Sequence, residues 1–210
     1  FWDRDIELMV VSHPHTDHYK GLFDVLKRYK VKQALVSSVD APNAIYTKFL
    51  EELTTRNIPT TFIHEPLRIR MGDSLTLDIL YPDRTLGAYK NMNNSSVVGL
   101  LRFKDTSVML EGDLEAQGEK HLIAQQHNLA ADVLKVGHHG SKTSTTEAWL
   151  KAVNPDYAVI SVGANNGYGH PHPTVVQRLQ EHRATIYRTD QNGDIAMTSD
   201  GTDIRFKTQK

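Results

Sequence analysis

Ser12-His13-Pro14-His15-Thr16-Asp17-His18 sets three imidazoles and a carboxylate within six positions. It directly follows the apolar-rich run Ile6-Glu7-Leu8-Met9-Val10-Val11. A run of that length and branching reads as a buried strand over residues 6–12. Open α/β sheets hold their active sites just outside the carboxyl ends of the strands. Imidazole and carboxylate are also the ligands that Zn²⁺ and Mn²⁺ take from proteins. The spacing H-x-H-x-D-H suits two ions. His13 and His15 project from one short loop toward the first, while Asp17 and His18 turn toward a second beside it. One surface histidine would mean little, but four donors together at a strand end point to a metal centre.

The bulk properties fit this reading. The 210 residues are enough for one domain with a real core, and 39% hydrophobic with 23% charged residues is ordinary for a globular protein. The formal net charge of -1 gives no global basic field for nucleic acid, so a polyanion would be held by a local patch or by the metals. There is no Cys, which excludes disulfides, thiolate zinc sites and cysteine nucleophiles. No apolar run approaches the roughly 18 residues of a membrane span, and no signal peptide is visible. The opening Phe1-Trp2-Asp3-Arg4-Asp5, without an initiator Met, reads as a fragment of a longer chain.

Outward from the first run, strands alternate with helices. Strands are expected over 6–12, 32–37, 60–64, 131–136 and 157–162, and helices over 19–29, 41–56, 115–126, 145–153 and 174–182. The long helix over 41–56 carries Ile45, Phe49, Leu50 and Leu53 on its stripe. Hairpins are expected for 67–70 with 74–80, and for 96–103 with 107–110. Residues 82–94 read as a loop. Residues 185–188 and 194–198 read as closing strands around Asn192-Gly193. This order implies an α/β fold, a layered sandwich with mixed sheets, in one domain over 1–210.

Further polar groups follow other strands. In Met109-Leu110-Glu111-Gly112-Asp113, Gly112 allows a tight turn and Asp113 can bridge two cations, although an Asp there could also cap the next helix. Val136-Gly137-His138-His139-Gly140-Ser141 repeats the pattern of strand, glycine and imidazoles. One of His138 and His139 is expected to face the site as ligand, proton donor or phosphate contact. Ser141 and Lys142 can bind phosphate oxygens. In Gly169-His170-Pro171-His172-Pro173, His170 is the better ligand candidate, and His172 belongs to a helix start. Asn94 or Ser95 is expected to enter the site as a hydrogen-bond donor to substrate.

Together these motifs resemble the metallo-β-lactamase-fold hydrolases: His13, His15, Asp17 and His18, then Asp113, then His170 as the terminal ligand. Ser-His-Pro-His-Thr-Asp-His, Asn-Asn-Ser-Ser-Val-Val, Leu-Glu-Gly-Asp-Leu-Glu, His-His-Gly-Ser-Lys and Tyr-Gly-His-Pro-His-Pro are most similar to the soluble domain of the ComEC/Rec2 family of competence proteins. That resemblance implies a four-layer αββα sandwich binding two divalent metals, Zn or Mn. It also implies a role in DNA uptake, as a nuclease on the strand that is not imported. The partners it implies are single-stranded DNA and a membrane channel domain of the same polypeptide, with this domain on the extracytoplasmic side of a bacterial inner membrane. No sign of an oligomer accompanies it. Two departures stand out. Many relatives of this fold carry a His ligand where this chain has Asn94-Ser95, which would weaken the ion held by His13 and His15. The chain also begins after the fold's usual first strands.

The chemistry expected is hydrolysis of a phosphodiester. Asp17 orients the nucleophile, and His138 or His139 protonates the leaving alcohol. Lys142 and Arg188 are candidates to guide the nucleic acid backbone. A small-molecule ester or phosphodiester hydrolase would use the same scaffold. A DNA-guiding module without catalysis is the third reading, and the intact H-x-H-x-D-H argues against it.

Overall fold

The computed structural model describes residues 3–38, 43–83 and 91–210. The expected first strand is two short ones, β1 (Asp5–Ile6) and β2 (Met9–Val11). They run parallel to β3 (Lys30–Val31) and β4 (Ala34–Ser37). Hydrogen bonds from Lys32 N to Ile6 O and from Met9 N to Gln33 O carry the pairing across the break. β4 also pairs in parallel with β5 (Thr60–Ile63), making a three-stranded sheet in the order β2-β4-β5.

The helix expected over 19–29 is divided into α1 (Thr16–Tyr19) and α2 (Leu22–Arg28). The long helix is α3 (Ala44–Thr55), and residues 41 and 42 of the expected span lie outside the described residues. Its start is set by Asn43, whose Oδ1 accepts from Ile45 N at 2.9 Å and satisfies an otherwise orphaned donor. On its stripe Phe49 and Leu53 are buried as expected, but Tyr46 is buried while Ile45 faces solvent. Tyr19, Tyr46, Phe49 and Leu53 pack against Met9, Val11, Ala34 and Val36 on one face of the small sheet.

The second sheet has seven strands: β6 (Leu67–Arg70), β7 (Leu75–Tyr81), β8 (Val98–Phe103), β9 (Thr106–Leu110), β10 (Val133–Lys135), β11 (Tyr157–Ile160) and β12 (Thr185–Arg188), adjacent in chain order. β6 to β9 are antiparallel, as short hairpin connections require. β9 to β12 are parallel, joined through α4 (Ala116–Ala124), α5 (Glu147–Val153) and α6 (Pro173–Glu181). Of the loop expected over 82–94, residues 84–90 lie outside the described residues, and Met92–Ser95 form one tight helical turn.

The closing pair is different from expectation. β12 stays in the large sheet beside β11, followed by the short α7 (Thr189–Asn192). β13 (Ile195–Ser199) instead pairs antiparallel with β14 (Ile204–Thr208). Residues 185–188 find a buried parallel neighbour in β11, which takes their hydrogen-bonding edge.

Three apolar clusters stack these elements into layers. Trp149, Leu150, Val175 and Leu179 of α5 and α6 cover Leu100, Met109, Leu134 and Ile160 of the large sheet. Leu35 and Ile63 of the small sheet meet Leu77 and Ile79 of the large one. With the helical cluster on the small sheet, the order is helix, sheet, sheet, helix. That is the expected αββα sandwich with mixed sheets.

Candidate metal centre

Two sheets deliver the polar loops to one edge. His13 to His18 leave the end of β2. Asp113 follows β9, His138 and His139 follow β10, and His170 lies in the loop after β11. Val97 N donates to Ser12 O at 2.8 Å, tying the entry of β8 to the loop after β2. The edge is thus built from parallel strand ends, where such sheets place their sites.

Asp113 is the centre of the cluster. Gly112 takes φ +60°, and a Cβ there would lie 2.9 Å from Cβ of Ser96, so the turn that aims Asp113 inward needs glycine. Asp113 does not cap α4, whose N-cap is Glu115. Its Oδ2 lies 3.2 Å from His18 Nε2 and 3.7 Å from His13 Nε2, and its Oδ1 lies 3.8 Å from His139 Nε2. Asp17 Oδ2 closes one side, 3.3 Å from His139 Nε2 and 3.6 Å from His18 Nε2. His15 Nδ1 closes the other, 3.0 Å from His13 Nε2. Two donor groups result: Asp17, His18, Asp113 and His139, and beside them His13, His15 and Asp113. Within each group the donor atoms all lie within 4.8 Å of one another.

The donors are held in ligand form. His139 Nδ1 meets Ser161 O at 2.8 Å. A carbonyl only accepts, so Nδ1 carries the proton and the lone pair sits on Nε2, aimed at the cluster. His18 Nδ1 and His13 Nδ1 share Ser12 Oγ at 3.0 and 3.2 Å. Ser96 Oγ stands 3.2 Å from His13 Nδ1 and accepts from Asp113 N at 2.9 Å. His13 is fully buried, and burial, with His18 beside it, pushes its imidazole down to about 3, so it stays neutral. Burial alone would raise Asp113, but His18, whose Nε2 stands 3.2 Å away, then His13 and His139, hold its carboxyl well below the usual range. Nε2 of His18 and Nε2 of His139 are buried without a hydrogen-bond partner. Buried orphan lone pairs that converge on carboxylates fit a pair of divalent cations.

The two adjacent imidazoles after β10 take different places. His138 and His139 both adopt left-handed backbone, at φ 48° and 55°, uncommon for side chains with a Cβ. Their rings stand 6.4 Å apart and make different contacts. His139 joins the donors, while His138 Nδ1 lies 3.3 Å from Thr143 Oγ1 and 3.5 Å from Glu115 Oε1, with Nε2 3.8 Å from Asp113 Oδ2. Behind the turn Gly137 N donates to Glu111 Oε2 at 2.9 Å. Glu111 is fully buried, also takes Thr145 Oγ1 at 3.2 Å, and is raised well above the usual range by burial and then by Glu119. Glu119 in turn accepts from the backbone N–H groups of Thr145 and Thr146. Burial and the nearby Glu119 carboxylate therefore favour the protonated form of Glu111.

The remaining sequence candidates fall around this centre. His170 lines the same cavity as Asp113 and His138 but stands outside both donor groups, its ring 5.9 Å from those of His138 and Tyr168. His172 caps α6, where its Nδ1 accepts from Thr174 N. Asn94 and Ser95 are buried and hydrogen-bonded within the protein. Asn94 Oδ1 accepts from Glu115 N at 3.1 Å and Ser95 Oγ donates to Met92 O at 2.6 Å. Ser141 is buried and bonded to Thr143, and Lys142 is exposed nearby. Arg188 is held by Asp190 at 2.6 Å rather than free for a nucleic acid backbone. The residues that sequence reasoning missed are Ser96, Glu111 and Glu119. A serine at a strand start has no distinctive signal, but a Glu in an apolar strand beside Gly-Asp was a visible oddity.

Residues 3–164 match the metallo-beta-lactamase superfamily, and the chain belongs to it. Among curated relatives it is 35% identical over 192 residues to ComE operon protein 3 of Bacillus subtilis, covering 91% of this chain and 24% of that one. It is 36% identical over 124 residues to Competence protein ComA of Neisseria gonorrhoeae, covering 58% of this chain and 17% of that one. The chain therefore spans about a quarter or less of the length of the curated relatives it matches. Among solved structures, CmlA, a diiron β-hydroxylase from Streptomyces venezuelae, superposes with a TM-score of 0.61 at 16% identity, over 89% of this chain and 44% of that one. At that identity the likeness speaks for the fold alone.

Proposed function

We propose that this domain is a divalent-metal phosphodiesterase that cleaves single-stranded DNA, the strand left outside during DNA uptake. One observation carries the reading: two groups of His and Asp donors share a single carboxylate, Asp113. The kinship with competence proteins supplies the substrate class. Asp17, His18, Asp113 and His139 would hold one ion, and His13, His15 and Asp113 the other. Zn²⁺ or Mn²⁺ in these places supplies charge neutralisation at a phosphoryl group and an acidified water.

The chain's own groups supply the rest. Asp17 is the exposed donor, with 60% of its side chain open to solvent, and orients the attacking water and accepts its proton. As the new P–O bond forms, the bond to the leaving oxygen breaks and that oxygen takes a proton from His138. Glu115 Oε1, 3.5 Å from His138 Nδ1, orients the imidazole for this step. Lys142, exposed in the loop that follows His138 and His139, is the candidate to bind a backbone phosphate. No helix of the described residues is long and apolar enough to cross a membrane. In this role the domain works beside a membrane channel of the same polypeptide, on its extracytoplasmic side.

The test is a labelled single-stranded oligonucleotide incubated with Mn²⁺ or Zn²⁺. The unaltered protein cleaves it, and the double variant His13→Ala with Asp17→Ala does not. Undiminished cleavage by the double variant overturns the reading. Binding without turnover under either ion points instead to a guiding module.

A further inference from the structure

Tyr168 is 87% exposed, far more than any other large apolar side chain among the described residues. A lone exposed aromatic is unremarkable by itself. This one is held in place. Asn166 makes four bonds within its own loop: Nδ2 donates to Gly163 O at 3.0 Å and to His170 O at 2.6 Å. Its Oδ1 accepts from Tyr168 N at 3.2 Å and from His170 N at 3.0 Å. Gly169 at φ +70° completes the turn. The Tyr168 ring then stacks on His170, centroids 5.9 Å apart and planes 21° from parallel. Its outer face stays open.

The position matters as much as the exposure. The Tyr168–His170 pair borders two cavities. One also holds His15, Asp113 and His138, and the other, about 310 Å³, holds Asp17, His139 and Ser161. A phosphodiester lying across the donor groups therefore has its neighbouring nucleoside beside this ring. Loop residues fixed by an Asn with all its groups engaged lose little entropy when a ligand arrives. Aromatic faces bind any base and so serve enzymes that handle single strands without regard to sequence.

We infer that Tyr168, backed by His170 and pinned by Asn166, is a stacking platform for the nucleobase next to the scissile phosphate. This rests on the phosphodiesterase reading and names the part of the substrate that the metal centre cannot recognise. It also separates a nucleic acid strand from a small ester, which has no base to stack.

The test compares two fluorescent oligomers of equal length, an oligo-dT and its abasic tetrahydrofuran counterpart, by anisotropy with Ca²⁺ as the divalent ion and intact oligomer verified on gels. The unaltered protein should bind oligo-dT about ten-fold tighter than the abasic oligomer. Tyr168→Ala should lose that preference, Tyr168→Trp should keep it, and Asn166→Ala should reduce it with the ring still present. Equal affinity of the unaltered protein for both oligomers, or an unchanged preference in Tyr168→Ala, overturns the platform. Cleavage under Mn²⁺ or Zn²⁺ scores the phosphodiesterase separately: cutting without base preference sinks the platform alone, and base preference without cutting sinks the nuclease alone.

Discussion

Replacing Glu111 in two ways separates its proton from its bulk. The side chain is fully buried and accepts from Gly137 N at 2.9 Å and Thr145 Oγ1 at 3.2 Å. Glu111→Ala strands these donors, at roughly 1–3 kcal/mol each when buried and unpaired. Gly137 N keeps a second acceptor, Thr145 Oγ1 at 3.2 Å. The expected loss is therefore in the lower half of the sum, about 2–4 kcal/mol. Glu111→Gln keeps the shape and accepts from Gly137 with its carbonyl, so it should cost less than Glu111→Ala. The pH dependence follows from the raised carboxyl. Between the ordinary carboxylate value and the raised folded one, the folded state binds the proton more tightly than the unfolded state. Stability is then full below the ordinary value and falls as pH rises toward the folded one. Gln does not titrate, so the variant should gain on the unaltered protein as pH rises above the ordinary carboxylate value. Urea unfolding of the metal-free protein at several pH values measures both effects. Equal losses for Ala and Gln, or a pH-independent difference for Gln, would falsify the account of a raised Glu111 carboxyl.

Two further outcomes follow from the same region. Ser96→Ala removes the acceptor of Asp113 N and one of the two partners of His13 Nδ1; metal affinity should fall roughly 10–100-fold in a chelator competition titration, and a change under two-fold would refute its part in setting the donors. Gly137→Ala puts a Cβ 2.6 Å from the Glu111 carboxyl carbon, with strand and turn fixing both sides; the urea midpoint should fall by the equivalent of about 1–3 kcal/mol, and an unmoved midpoint would show that the pocket yields freely.

The metal motifs were legible because their spacing is local. His13 to His18 and Gly112-Asp113 each announce themselves within a few residues after an apolar strand. The αββα layering followed from the alternation of strand and helix patterns. What stayed hidden depends on partners distant in sequence. Ser96 becomes part of the site only because β8 begins beside the loop after β2, a contact that no periodicity encodes. Asn94 and Ser95 look like substrate contacts by composition, but Glu115 N and Met92 O take their side chains. The ring placement of His138 and His139 rests on two left-handed residues that the sequence gives no reason to expect. The last strands were misjudged because 185–188 pairs with β11 and 195–199 with 204–208, and a strand pattern does not name its partner.

The donors come from both sheets. His13, His15, Asp17 and His18 hang from the small sheet, and Asp113 and His139 from the large one. An ion held by both would act as a clasp across the seam between two halves of the chain that are otherwise joined by apolar packing and hydrogen bonds such as that from Val97 N to Ser12 O. Any cation that binds only the folded state adds RT ln(1 + [L]/Kd) to stability, about 2.7 kcal/mol at a hundred-fold excess over Kd. Starving the protein of metal would therefore loosen the interface between the sheets as well as silence the site, and melting temperature would report metal supply.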